Sequence, residues 1–395
     1  MALPLAFAHA ALFFFTVASS SSATSDSQLS GCFDSVVSFG GSLSDTGNDL
    51  IPEIYPGPCF SANPPYGRTY FHNPTGRFSD GRVVIDFIAQ SVGLPPLKSY
   101  FSEAHEKPEK RPRSFSSGVN FAVAGASVLP HEFFRKIGSL SMSTNVSLGT
   151  QWEWFRSFLA GLPDGRKYLK RCLIVLGPLG GNDYSHLLVQ LGKTLDDARM
   201  LAPLLVSHIG STIEELIKLG AVTILVPGSL PDGCMPAMLL FYDEISSTRD
   251  DYDPQTGCHY GLNKHLQYHN ELLQKELQRI RKLHPNVNIM YGDYYNAANR
   301  MYLSPNQFGF GNQVLMACCG AGGTYNFEPA KQCGGNPQAT SCRDPAEYIN
   351  WDGVHNTEAA NRFIAQGLFQ GPYTDPPFST ICLNSTLKRR AIADY

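Results

Sequence analysis

The chain has 395 residues, of which 43% are hydrophobic and 16% charged, with 36 glycines and 27 prolines. Such a composition is too apolar for disorder and lacks a collagen period, so it implies a globular, loop-rich protein. Lys plus Arg number 31 against 34 Asp plus Glu, a formal charge of −3, which leaves no electrostatic footprint for nucleic acid.

An apolar run from Leu3 to Val17, containing Phe13-Phe14-Phe15, is followed by small residues from Ala18 to Ala23. Although no Lys or Arg precedes it, the pattern reads as a secretory signal over residues 1–24. It is too short to span a bilayer comfortably. No later stretch reaches about 18 uninterrupted apolar residues, so no stable membrane anchor is expected. Residues 25–34 are expected to form a flexible Ser-rich lead-in, and residues 373–395 a tail ending in the solvated cluster Lys388-Arg389-Arg390.

Between them, short apolar runs alternate with longer helical patterns. Strands are expected at Ser35 to Phe39, Gly118 to Ala122, Cys172 to Leu176, Val222 to Val226 and Val287 to Tyr291. Helices are expected at Val83 to Val92, Trp152 to Leu162, Thr194 to Leu219, Leu262 to His284 and Thr357 to Phe369. In the fourth helix, Leu266, Leu272, Leu273, Leu277 and Ile280 fall close to the helical period. The alternation predicts one α/β domain over residues 35–372: a mainly parallel sheet with helices on both faces, and ligands at the C-terminal strand ends.

A secreted context makes two further features legible. Asn145-Val146-Ser147 and Asn384-Ser385-Thr386 are N-glycosylation acceptors, whereas proline blocks Asn73-Pro74-Thr75. The ten cysteines contain no C-x-x-C and read as a disulfide set of undetermined pairing.

Four segments could carry chemistry. The first strand runs into Gly40-Gly41-Ser42-Leu43-Ser44-Asp45, where a serine between strand and turn can present its hydroxyl; alone, it is an ordinary turn. Gly118 to Ala126 places Gly125 just past a strand, where backbone can approach a ligand or merely bend. Gly180-Gly181-Asn182-Asp183 follows the third strand, and the Asn182 amide can either donate to an oxyanion or cap a helix. Finally, Asp352 and His355 lie three apart around a turn, the arrangement in which a carboxylate orients an imidazole toward a serine. Asp183 and His186 share that spacing, and spacing alone does not separate the pairs. His265 and His269 lack the Glu of H-E-x-x-H and read as a solvated helix face. No phosphate-cradling loop is found.

Taken together and in order, these segments resemble the plant GDSL esterase/lipase family, a branch of the SGNH hydrolases. Pro64-Pro65-Tyr66-Gly67, Pro74 to Arg82, Val226-Pro227-Gly228, Pro231-Asp232-Gly233-Cys234, Tyr268-His269-Asn270 and Cys318-Cys319-Gly320 add to the match, which spans about Ser35 to Phe369. The flavour is closest to the sinapine-esterase-like and acetyl-ester-hydrolysing members. The resemblance implies a three-layer α/β/α sandwich of flavodoxin-like type. It implies Ser42 as nucleophile, His355 as base and Asp352 as acid, with an oxyanion hole from Ser42, Gly125 and Asn182. It assigns no role to His186 and implies no cofactor.

The implied activity is ester hydrolysis by a secreted protein, in the apoplast or cell wall or alternatively the vacuole, on a small-molecule or polysaccharide ester carrying acetyl, phenolic or lipid groups. An acyltransferase or a non-catalytic secreted binding protein would use the same scaffold. The family has Asp before the serine where this chain has Gly41. That departure reads as a tolerated variant or a decaying site. It leads to the expectation that Gly41→Asp raises kcat with KM nearly unchanged. Specificity is expected in loops 51–70, 99–117 and 234–258, where Tyr55, Phe60, Tyr66, Phe101, Phe241 and Tyr242 either line a pocket or cover the sheet edge.

Overall fold

A computed structural model describes residues 29–103, 115–139, 143–246 and 248–382. The expected signal segment, Asn384 and the basic cluster lie outside the described residues.

Five parallel strands, β1 (Ser35–Phe39), β2 (Gly118–Asn120), β3 (Cys172–Leu176), β4 (Thr223–Pro227) and β5 (Asn288–Gly292), build the central sheet. Two short strands, β6 (Cys319–Gly320) and β7 (Thr340–Ser341), pair separately, and β8 (Thr374–Asp375) adds an antiparallel edge to β5. The sheet order is β2-β1-β3-β4-β5-β8. Every residue of β1, β3 and β4 is buried. Their near-continuous apolar runs are what a sheet covered on both faces requires. The chain leaves β1 toward β2 and later returns to β3 on β1's other side. That reversal makes β1 and β3 the switch point, where ligands collect at the C-terminal ends.

Helices flank the sheet. Leu195–Leu219 begins at Thr194, whose Oγ1 accepts from the Asp197 backbone N–H, and ends at Gly220, which takes φ +113° as a C-terminal glycine does. Its length and composition would also suit a membrane span. Here Leu205, Ile209 and Ile213 are instead buried in the core it shares with Tyr260–Leu283. Val84–Ser91 and Tyr294–Leu303 pack against Glu358–Gln370.

Two expectations are corrected at the domain edges. The expected flexible lead-in carries Leu29, Cys32 and Phe33 in the core, because Cys32 is disulfide-bonded to Cys382. The expected tail contributes β8 and the buried Phe378 and Ile381. The packed domain thus extends past 35–372 at both ends. Of the ten cysteines eight are paired: Cys32–Cys382, Cys234–Cys258, Cys318–Cys342 and Cys319–Cys333. Cys172 sits inside β3, where burial pushes its thiol up to about 12, and the Cys59 thiol donates to Asp49 instead.

Candidate active site

The serine turn is built before it is used. At the end of β1, Gly40 takes φ +152°, and its backbone N–H and C=O are both held by the Gln151 side-chain amide, at 2.9 and 2.8 Å. The Gly41 carbonyl then accepts from the Ser44 and Asp45 amides, closing a tight turn around half-buried Ser42. Asp45 braces it from inside. One carboxylate oxygen accepts from Gly47 and Asn48, the other from Asp49 and Ala124. The Ala124 bond ties this turn to the loop carrying Gly125.

Ser42, His355 and Asp352 form one hydrogen-bonded line. Ser42 Oγ is 2.8 Å from His355 Nε2, and His355 Nδ1 is 2.8 and 2.9 Å from the Asp352 oxygens. Asp352 also accepts from the backbone N–H groups of Val354 and His355, and from the buried Tyr66 hydroxyl at 2.8 Å. Burial alone would push this carboxyl up. The adjacent His355 imidazole and these hydrogen bonds hold it below the ordinary value. With Asp352 ionised, the geometry favours the tautomer in which Nδ1–H donates to the carboxylate and Nε2 accepts from the serine. Phe78 lies 4.6 Å from the imidazole, and Tyr66 packs edge-on against Phe78 and Trp351.

The rival pair does not meet. Asp183 accepts from the Val128 and Leu129 amides, at 2.8 and 3.1 Å, and burial pushes it up to about 7. His186 Nε2 instead pairs with Ser139 Oγ. Asp183 thereby fixes the Gly125 loop relative to Asn182. Gly125 takes φ +76°, and among the described residues neither its N–H nor that of Ser42 has a protein acceptor. The Asn182 amide donates one N–H to Ala126 O at 2.8 Å and retains a second. These three groups line one cavity of about 450 Å³ with His355.

The cavity wall comprises Leu43, Tyr55, Phe60, Phe78, Leu179, Leu230, Met235 and Met238 among others. Loops 51–70 and 234–258 supply part of it, as expected. Described residues of loop 99–117 supply none: Phe101 packs against Trp154. Within loop 234–258, Tyr242 lies outside the cavity wall and stacks on His259. His265 and His269 are not solvated but 4% and 0% exposed. His269 Nδ1 meets the Tyr184 hydroxyl at 2.8 Å, and its ring lies against Gly180 beneath the loop that carries Asn182. Gln151 was not readable as a site residue, because it carries no local signature; Tyr66 was legible as a wall aromatic but not as a partner of Asp352.

A flavodoxin-like sheet that brings a serine, a histidine and an aspartate into one hydrogen-bonded line at its switch point is an arrangement able to activate a serine hydroxyl. The chain belongs to the GDSL-like lipase/acylhydrolase family, whose model matches residues 36–368. It is 46% identical over 364 residues to a GDSL esterase/lipase of Arabidopsis thaliana, covering 91% of this chain and 89% of that protein. A second Arabidopsis thaliana GDSL esterase/lipase is 45% identical over 364 residues, covering 91% and 90%. Sinapine esterase of Brassica napus is 44% identical over 358 residues, covering 89% of each.

Proposed function

We propose that this protein is an extracellular carboxylic-ester hydrolase that works through an acyl-enzyme on Ser42. His355 Nε2 takes the serine proton as Oγ forms a bond to the ester carbonyl carbon. The resulting oxyanion is received by the Ser42 and Gly125 N–H groups and the second N–H of Asn182, each such donor contributing about 3 kcal/mol in comparable sites. Collapse breaks the carbon–oxygen bond to the alcohol, which leaves with the proton from His355. Water, deprotonated by the same imidazole, then releases the acid and restores Ser42. The observation that carries this reading is the unbroken Asp352–His355–Ser42 hydrogen-bonded line. It also argues against a decayed site.

Hydrolysis of p-nitrophenyl acetate by wild type and Ser42→Ala tests it. Loss of at least about 1,000-fold in kcat is expected, and equal turnover would refute the nucleophile. The four disulfides and the exposed Asn145 acceptor support secretion. The secreted product should begin near residue 25 and carry glycan on Asn145. An intact N-terminus on the secreted chain would contradict this.

A further inference from the structure

One side chain outside the triad joins the two loops that carry the Ser42 and Gly125 amides. Gln151 is 0% exposed and sits in the first turn of helix Leu148–Ala160. Its Oε1 accepts from Gly40 N–H at 2.9 Å, and its Nε2 donates to Gly40 O at 2.8 Å. Val123 N–H donates to the same carbonyl at 3.1 Å. The start of the helix is itself fixed to the second loop. Leu148 N–H donates to Ser127 O at 2.8 Å, and Ser127 N–H to Val146 O at 3.4 Å. Ser127 follows Ala126, whose carbonyl accepts from Asn182, and Ala126 follows Gly125. Gln151 therefore bridges the nucleophile turn and the loop that faces it.

What this clamp controls follows from peptide planarity. In a trans peptide the C=O and the following N–H point in opposite directions. Gly41 O faces into the turn, toward the Ser44 and Asp45 amides, so Ser42 N–H at the other end of that plane faces the cavity. The preceding plane, from Gly40 C=O to Gly41 N–H, is aimed by Gln151 and Val123. The two planes meet at Gly41 Cα, and a glycine resists rotation there less than any other residue. Gly40 before it takes φ +152°. With two successive glycines at the mouth of β1, hydrogen bonds rather than backbone preference set the direction of Ser42 N–H. A primary amide suits the task because it offers one acceptor and one donor side by side.

We propose that Gln151 is a positioning residue for acyl transfer, holding the Ser42 and Gly125 N–H groups at the spacing at which both reach one oxyanion. It supplies the stiffness that glycine at position 41 does not. This rests on the hydrolase reading above.

Two variants of the full chain test the inference. Gln151→Glu keeps the shape, but its ionised form only accepts, whereas its protonated form regains a donor for Gly40 O. Burial favours the protonated form, so the loss should depend on pH. The rate of fluorophosphonate labelling and kcat on p-nitrophenyl acetate are each divided by the wild-type value at the same pH, which cancels the titration of His355. At pH 9, Gln151→Glu should be slower by about 100-fold, and at pH 5.5 by less than about 10-fold, with KM within about twofold at both. Gln151→Met, of similar length and without either hydrogen bond, should be slower by about 100-fold at both. A purely structural glutamine would lower the melting temperature while the folded fraction kept a kcat near wild type, and that result overturns the inference. So does a Gln151→Glu ratio that stays constant between the two pH values. If Gln151→Met does not fold, the pH dependence of Gln151→Glu decides alone. A wild type that labels on Ser42 but turns over no ester refutes the hydrolase reading, while the labelling ratios still decide this one. A wild type that neither labels nor turns over ester refutes both.

Discussion

Placing a side chain at position 41 tests how closely the serine turn is fitted to the loop that carries Asn182. Gly41 does not have positive φ, so an L-residue meets no backbone strain there; the strained glycine is Gly40. The obstacle is steric. A Cβ on residue 41 would lie 2.7 Å from Asn182 Nδ2, whereas ordinary contact begins near 3.4 Å, so the amide must retreat by about 0.7 Å. That amide is held at 2.8 Å to Ala126 O and carries the N–H assigned to the oxyanion.

Misplacing a reacting group by about 1 Å costs on the order of 100-fold, and losing one oxyanion donor costs about 100- to 1,000-fold. Gly41→Ala and Gly41→Asp should both lower kcat on p-nitrophenyl acetate by about 10- to 100-fold, with KM changing less than about twofold. Thermal stability should hardly move, because the displaced atom is the end of a flexible side chain. This reverses the expectation drawn from the sequence, where glycine was read as a missing support. A rise in kcat for Gly41→Asp would refute the steric argument. So would a loss confined to the aspartate, which would point to charge instead.

Three further outcomes follow. Asp352→Asn should lower kcat by about 1,000- to 10,000-fold through the wrong imidazole tautomer, and Tyr66→Phe by about 10- to 100-fold through loss of one hydrogen bond to a buried carboxylate, both read by ester kinetics. Cys382→Ser opens a bridge across 350 residues and should cost about 3–5 kcal/mol in denaturant unfolding; a loss under about 1 kcal/mol would contradict the docking of both chain ends. Stability should rise as pH falls from 8 to about 6.5 and then level off. Burial raises Asp45, Asp49, Asp80, Asp183 and Asp232, so the folded state takes up protons as pH falls, while buried His186, His259, His265 and His269 have lowered values and favour the unfolded state below about 6.5. A melting temperature that climbs steadily to pH 8 would show the wrong sign.

The parallel strands were legible because buried strands read as compact apolar runs: Ser35–Phe39 and Cys172–Leu176 have the expected bounds, and the others shift by a residue or two. The Ser42, Gly125, Asn182 and Asp352–His355 segments stood out only in combination, since each alone is an ordinary turn. What escaped the sequence was pairing across distance. Tyr66 reaches Asp352 over 286 positions, and Gln151 clamps Gly40 over 111. β8 is two residues long, too short to show alternation. His265 and His269 looked solvated because periodicity counts histidine as polar, yet Tyr184 gives them a buried face to pack against.

The central claim is that Ser42 is made nucleophilic by His355. A fluorophosphonate probe, followed by peptide mass spectrometry, measures it directly: one adduct per chain on the Ser42 peptide is expected, with labelling abolished in His355→Ala of unchanged fold. An adduct on a different serine, or ester turnover by a chain that the probe does not label, would contradict the account.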